Sequence, residues 1–274
     1  MKFGVWSSYY YNLTPEEAVV EFAKHGFNYS EFSDEHSVVL MERGDDAYET
    51  GKKFAAFAAE HGMSFPQGHL LLRARICDEK SVDMIKKQID LFHGIGVKNA
   101  VLHCDSMLDS GLTREAVLER NVIAVRGIAD YAKDRDITIC LENIFGTSPT
   151  QDVDTLLWLI EKIDRPNVGI CLDTGHLNIV ESGKQAEFIC KAGKYLKALH
   201  LADNEGKIDQ HLLPFSCGSV NMIEVIEETK KIGYEGLYNF EIPGESGHRI
   251  FEILGYKLDY IKKVFEYLDE VTSK

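Results

Sequence analysis

The chain has 274 residues, of which 30 are lysine or arginine and 44 are aspartate or glutamate, so its formal net charge at pH 7 is −14. That length suits one large α/β domain or two ordinary ones, and 45% apolar with 27% charged residues is typical of a globular protein, not of a disordered chain. The excess of acidic residues argues against a protein that mainly coats nucleic acid or an anionic membrane, because both tasks need basic surface.

The start of the chain predicts neither a secretory signal nor a membrane anchor. Residues 1–6 lack the apolar core of a signal peptide, and the sequence becomes polar at Ser7. Farther along, no apolar stretch approaches the ~20 residues of a membrane span. Six cysteines are scattered without any zinc-ribbon spacing, and most lie in or near apolar segments, which favours reduced, buried thiols. We therefore expect a cytoplasmic protein without a membrane partner.

Short apolar segments alternate with longer amphipathic segments along the whole chain. The apolar ones cover residues 2–6, 29–32, 63–66, 97–102, 137–141, 168–172, 196–199 and 237–240. Several are apolar at nearly every position, as strands buried on both faces are. Thr14 followed by Pro15 predicts the start of the first helix. Helix ends just before strands are predicted at Gly26, Gly62, Gly96 and Gly233.

Eight strand-like and eight helix-like segments in strict alternation predict a single domain over residues 1–274, a (β/α)8 TIM barrel. A doubly wound open sheet is the alternative architecture. Such a sheet would usually carry a glycine-rich turn after its first strand, and the sequence has none there. The sequence therefore predicts no nucleotide cofactor.

In a TIM barrel the active site lies at the carboxyl ends of the strands. Six consecutive predicted strands lead into a side chain able to bind a metal: His69, His103, Glu142, Asp173 with His176 three residues on, His200 and Glu241. The loop after the seventh strand adds Asp209 and His211. One polar residue at a strand end is more often a helix cap, but six in succession at one barrel mouth are not explained that way.

Electrostatics indicates why these side chains would share a metal. Glu142, Asp173 and Glu241 would repel one another strongly in one cavity unless they were protonated or a cation neutralised them. Mixed oxygen and nitrogen ligands suit Mn²⁺, Zn²⁺, Co²⁺ or Mg²⁺. We therefore expect one divalent metal ion, with room for additional ions.

The segments around these residues resemble the xylose isomerase-like TIM barrels, a superfamily that includes sugar-phosphate isomerases and epimerases, ketose 3-epimerases and endonuclease IV. The matching segments are residues 140–143, 168–176, 200–204 with 209–212, and 240–244. The resemblance to the epimerases implies that one metal ion is held by Glu142, Asp173, His200 and Glu241. It also implies that Glu142 and Glu241 are the catalytic acid and base and that His176 contacts a substrate oxygen. The expected activity is isomerisation or epimerisation of a sugar or sugar phosphate through a metal-stabilised enediolate.

Endonuclease IV is the first alternative, because its three-zinc site uses nine ligands whose residue types are all matched here. The five matches outside the epimerase set are His69, His103, His176, Asp209 and His211, which are possible additional metal or substrate ligands. Residues 214–219 depart from the Gly-x-Gly run of that family, and the loops offer few basic residues for gripping DNA. Nucleic acid is therefore an unlikely partner. A barrel that binds a sugar or metal without turnover is the second alternative.

Further substrate contacts are predicted at His69, His176, Lys207 and Trp6. Ketose 3-epimerases carry an arginine shortly after the metal histidine, whereas Lys207 is the nearest cation here, which puts C3 epimerisation of free ketoses in doubt. Trp6, together with Phe32, could form an apolar wall for a sugar or belong to the core. A phosphate could bind in the loop at residues 244–249, or at Arg73 and Arg75. A homo-oligomer is compatible with the sequence.

Overall fold

A computed structural model describes residues 1–106, 111–247 and 250–273, in which eight parallel strands close into one barrel. Each strand pairs with the next along the chain, and the last pairs with the first. The strands are β1 Lys2–Trp6, β2 Tyr29–Phe32, β3 Ser64–His69, β4 Asn99–Leu102, β5 Thr138–Glu142, β6 Val168–Asp173, β7 Leu196–Leu201 and β8 Leu237–Phe240. The predicted (β/α)8 TIM barrel is confirmed.

The helical count differs from the prediction. Among the described residues there are eleven α-helices: α1 Pro15–Lys24, α2 Asp34–Met41, α3 Ala47–Glu60, α4 Glu79–Ile95, α5 Arg114–Lys133, α6 Val153–Ile163, α7 Thr174–Val180, α8 Gln185–Ala192, α9 Met222–Lys231, α10 Pro243–Ser246 and α11 Phe251–Val271. The sequence predicted one helix after each strand, but β2, β6 and β8 are each followed by two. After β2, Ser33 and Asp46 each cap a helix of their own, which divides the segment.

Local signals at the helix ends are found as predicted. The Thr14 hydroxyl accepts a hydrogen bond from the Glu17 backbone N–H at 3.3 Å, and the Thr14 backbone N–H donates to the Glu17 carboxylate at 2.8 Å. This reciprocal pair satisfies donors that the first helical turn leaves free. Gly96 ends α4 with φ 95°, a left-handed conformation that favours glycine.

The barrel interior is filled in layers, as in other closed parallel barrels. One layer is small and apolar, and consists of Val101, Cys140, Cys171 and Ala198. Polar side chains of β2, β3 and β5 to β8 are at most 3% exposed: Glu31, Gln67, His69, Glu142, Asp173, His200 and Asn239. Burying polar groups costs free energy, so their concentration towards the carboxyl end of the barrel marks that end as the candidate site.

All six cysteines are free thiols, and three of them, Cys104, Cys140 and Cys171, are buried. Cys190 and Cys217 are exposed, so the expected burial of the thiols is found only in part. No described helix combines the length and the apolar character that crossing a membrane requires.

A buried group of hydroxyls joins the ends of β1 and β2. His36 is 2% exposed, and its ring nitrogens lie 3.0 Å from Ser7 Oγ and 3.3 Å from the Leu13 carbonyl oxygen. Burial lowers the pKa of His36 from 6.5 to about 4, because the charged ring would lose its hydration. The folded protein therefore keeps this ring neutral at pH values where the unfolded chain protonates it.

We predict a pH-dependent loss of stability through His36. Above about pH 6.5, the pKa of histidine in the unfolded chain, His36 is neutral in both states and does not affect the free energy of unfolding. As the pH falls from about 6.5 towards 4, only the unfolded chain binds the proton, and the free energy of unfolding falls by up to about 3 kcal/mol. His36→Gln should remove this dependence, so the free energy of unfolding should fall less between about pH 7 and about pH 4.5 than in the wild type. Urea denaturation of both proteins at both pH values measures it, since the other titrating groups are shared. An equal fall in both proteins would contradict the prediction.

Candidate metal centre

The side chains predicted at the strand ends meet at the carboxyl end of the barrel, and Glu142 lies among them. Its carboxylate oxygens lie 2.9–3.3 Å from ring nitrogens of four histidines: His69, His103, His176 and His200. His200 Nδ1 lies 2.7 Å from Glu241 Oε2 as well. Glu142 ends β5, His200 lies in β7 and Glu241 directly follows β8, so closure of the barrel brings these distant residues together.

Among the described residues, three groups of histidine and carboxylate side chains could hold a metal ion, and within each group the ligand atoms all lie within 4.8 Å of one another. The first comprises Glu142, Asp173, His200 and Glu241; the second His69, His103 and Glu142; the third His176, Asp209 and His211. All nine residues predicted as metal or additional ligands fall in these groups. Glu142 belongs to two of the groups, so two ions bound there would share its carboxylate.

The third group is organised by hydrogen bonds from Asp173 and from the loop after β7. Asp173 caps α7, because its Oδ1 accepts a hydrogen bond of 2.7 Å from the His176 backbone N–H. Asp209 lies 3.4 Å from His176 Nε2 and 2.7 Å from His211 Nε2. His211 has φ 46°, a backbone conformation that non-glycine residues rarely adopt and that often marks functional sites.

The charges of the first group favour a bound cation. Burial raises the pKa of Asp173 to about 6. Burial opposes ionisation of Glu142 and Glu241 too, but His200 holds the pKa of Glu142 well below its usual range and lowers that of Glu241 to about 2. Asp173 Oδ2 is buried and has no hydrogen-bond partner among the described residues. Converging carboxylates with an unsatisfied oxygen fit a divalent metal ion.

Two of the outer histidines become basic through their acidic neighbours. Burial opposes the charged form of His69, yet contact with Glu142 raises its pKa to about 9. Burial likewise opposes charge on His211, and Asp209 raises its pKa to about 9. Both rings are therefore protonated near neutral pH unless a metal ion displaces the proton.

Two residues of this site were missed by the sequence analysis. Glu31, in β2, is fully buried and its Oε2 lies 2.9 Å from His200 Nε2. The signal was an acidic residue inside a short strand that is otherwise buried. Cys171 lies close enough to Glu142 and His200 to belong to a fourth group. Burial raises the pKa of its thiol well above the usual range, which disfavours the thiolate that a metal would need.

Only some of the residues predicted to contact a substrate lie at the metal groups. His69 and His176 lie at the metal groups, whereas Trp6 is 9% exposed and packs in the main apolar core. Phe32 is fully buried against Phe54 and Phe65, so it belongs to the core and is no sugar-binding wall. Lys207 is exposed, and no contact joins it to the ligand groups within the described part of the chain.

The structure describes only part of the candidate phosphate sites. Arg73 and Arg75 are exposed. In the loop after β8, Glu245 Oε2 forms an ion pair with Lys257 Nζ at 2.5 Å. His248 and Arg249 of the same loop lie outside the described residues.

Comparison with known proteins places this geometry among related barrels. The sequence profile of the family described as xylose isomerase-like TIM barrel matches residues 19–270. The L-ribulose 3-epimerase of Methylomonas sp. strain DH-1 is 28% identical over 166 residues, which cover 59% of this chain and 56% of that protein. A probable endonuclease 4 of Mycoplasma pneumoniae is 28% identical over 147 residues, which cover 48% of this chain and 49% of that protein. The chain spans about half the length of the curated relatives it matches.

Among solved structures, similarity extends over the whole barrel. The crystal structure of a D-tagatose 3-epimerase-like protein has a TM-score of 0.80 and 24% identity, and the match covers 100% of this chain and 98% of that one. At this level of identity the likeness establishes the fold and leaves the chemistry to the site itself.

Proposed function

Since the chain belongs to the xylose isomerase-like TIM barrel family, we propose that it is a divalent-metal-dependent isomerase or epimerase of a sugar or sugar phosphate. The observation that carries this proposal is the pair of carboxylates, Glu142 and Glu241, placed 3.2 Å and 2.7 Å from the same His200 nitrogen. Two acids beside one ligand position can act on opposite faces of a substrate carbon. The similarity to a ketose-type 3-epimerase supports the sugar class.

The residues that would hold the ion are Glu142, Asp173, His200 and Glu241. A divalent ion there would stabilise negative charge that develops on neighbouring substrate oxygens. One of the two glutamates removes a proton from the carbon beside the carbonyl group. Return of a proton from the opposite face by the other glutamate gives epimerisation, and return to the adjacent carbon gives isomerisation. His176, whose Nε2 lies 3.4 Å from Asp209, would contact a substrate oxygen.

A second candidate, a metal-dependent phosphodiesterase acting on abasic DNA, is favoured by one observation. The nine ligand residues fall into three groups, two of which share Glu142, and several metal ions close together suit hydrolysis of a phosphodiester. The similarity to a probable endonuclease 4 agrees with it. The net charge of −14 opposes it, because duplex DNA needs basic contacts. We therefore rank the sugar chemistry first.

Solvent-deuterium exchange separates the candidates. We expect the Mn²⁺-loaded protein, incubated in D2O with a panel of ketoses and their phosphates, to place deuterium at the carbon beside the carbonyl of at least one sugar. The label should appear together with an epimer or an aldose, because proton removal and return expose the carbon to solvent protons. Mass spectrometry and NMR detect both. If no sugar gains deuterium and an abasic duplex is cleaved, the phosphodiesterase is correct. Binding without either reaction would indicate a non-catalytic barrel.

A further inference from the structure

The His200 ring is held at both of its nitrogens inside the barrel. Nδ1 faces the first metal group, 2.7 Å from Glu241 and 3.2 Å from Glu142. Nε2 points the other way, 2.9 Å from Glu31 Oε2. His200 and Glu31 are both fully buried, so the contact is shielded from bulk solvent. Glu31 itself is in no metal group.

The contact with Glu31 differs from those of the other site histidines. His69, His176 and His211 each place Nδ1 within 3.0 Å of a backbone carbonyl oxygen, which leaves Nε2 to face the metal groups. His200 is oriented in the reverse sense, with Nδ1 inward. A carboxylate, unlike a peptide carbonyl, is a costly group to bury, so its place beneath a metal ligand calls for a compensating role.

Hydrogen-bond chemistry then fixes the proton on His200. A carboxylate accepts hydrogen bonds and has none to donate, so Nε2 carries the hydrogen. In the neutral ring this leaves the Nδ1 lone pair free to bind a metal ion. Ligating histidines commonly donate their other N–H to a carboxylate, which fixes the ring and makes it a stronger ligand.

Glu31 is in turn held by its neighbours on other strands. The Gln67 side-chain amide donates to Glu31 Oε2 and lies 3.4 Å from the carbonyl oxygen of Leu199, the residue before His200. Gln67 is in register with Glu31 on the adjacent strand. This set of contacts joins β2, β3 and β7 across the barrel interior and limits how far the carboxylate can move.

We propose that Glu31 is a positioning residue that fixes the orientation and tautomer of His200, so that Nδ1 faces the metal ion. The proposal rests on the metal-binding part of the proposed function and is independent of which reaction the metal serves. Its consequence is a loss of metal affinity when Glu31 is replaced, without direct contact between Glu31 and the ion.

Metal titration of variants tests this role. We expect Glu31→Leu to weaken Mn²⁺ binding about 10- to 100-fold in titration calorimetry. Glu31→Gln should recover much of this loss, because its amide oxygen still accepts from Nε2–H. Ser30→Ala is the matched control: Ser30 is buried in the same strand, but its hydroxyl bonds to the Val5 carbonyl and not to the site. This control should bind Mn²⁺ within about twofold of the wild type, and thermal unfolding checks that each variant is folded.

A second measurement does not depend on Glu31→Leu being folded. In ¹⁵N-histidine NMR of the Zn²⁺-loaded wild type, His200 should appear as the Nε2–H tautomer, and an Nδ1–H tautomer would overturn the proposal. Unchanged Mn²⁺ affinity in folded Glu31→Leu would overturn it too. A wild type that bound no Mn²⁺ would instead overturn the metal-dependent function and this proposal together.

Discussion

Glu142→Gln and Glu241→Gln are each expected to lower kcat for the sugar reaction by about 10²- to 10⁴-fold, the usual contribution of a general acid or base. Glutamine keeps the size of the side chain but its amide cannot accept and return a proton. Both glutamates belong to the first metal group, and Glu142 to the second as well, so either replacement should weaken metal binding in addition. Steady-state kinetics at saturating Mn²⁺ separates the two effects, because excess metal restores occupancy and leaves the proton-transfer defect.

Asp203→Asn provides the matched control for these variants. Asp203 is buried and lies close to His200 in the sequence. Its Oδ1 accepts hydrogen bonds from the backbone N–H groups of Asn204 and Val220. Asparagine keeps an oxygen for those bonds, and Asp203 is in no metal group. The control should retain activity within a few-fold. Wild-type rates in either glutamate variant would refute the assignment of the acid and base.

Removal of divalent metal is expected to abolish activity, and added Mn²⁺ should restore it. The reason is that the carboxylates of the first group would repel one another and the negative charge of the reaction would lack a stabilising cation. Elemental analysis of the purified protein gives the number of ions: one per chain fits the isomerase or epimerase, and three fit the phosphodiesterase. Full activity in a protein shown to be free of metal would contradict the metal-dependent function.

The same metal titrations should depend on pH in a defined direction. The pKa values of His69 and His211 are raised to about 9 and that of Asp173 to about 6. Protons therefore compete with metal at these ligands, and binding should weaken and release more protons as the pH falls from about 9 to about 6. Calorimetry in buffers of different ionisation enthalpy measures that release. Proton-free binding near pH 7 would show that the outer groups take no metal.

The strand order and the nine candidate ligands could be predicted because both depend on local sequence. A strand buried on both faces is apolar throughout, and its carboxyl end is the first polar residue that follows. Closure of the barrel then brings those ends together, however many helices follow each strand. The helices themselves were harder to count, since a second cap such as Asp46 divides one amphipathic segment into two.

Contacts across the barrel interior were beyond prediction from one sequence. Which residue faces His200 from below depends on how the strands are offset around the barrel, and Glu31 stands in β2, far from His200 in the chain. Trp6 packs in the core and Lys207 is exposed, and their part in substrate binding stays a prediction.

The small apolar layer inside the barrel has a consequence for how the metal centre is built. Val101, Cys140, Cys171 and Ala198 each stand two positions before a candidate ligand: His103, Glu142, Asp173 and His200, respectively. Side chains two apart in a strand point to the same side, so each of these residues forms the floor beneath one ligand. A bulkier residue in this floor would push its ligand outward. The reach of the ligands towards an ion therefore depends on the volume of the core residues next to them, and one of these residues, Cys171, also lies close enough to Glu142 and His200 to form a candidate metal group.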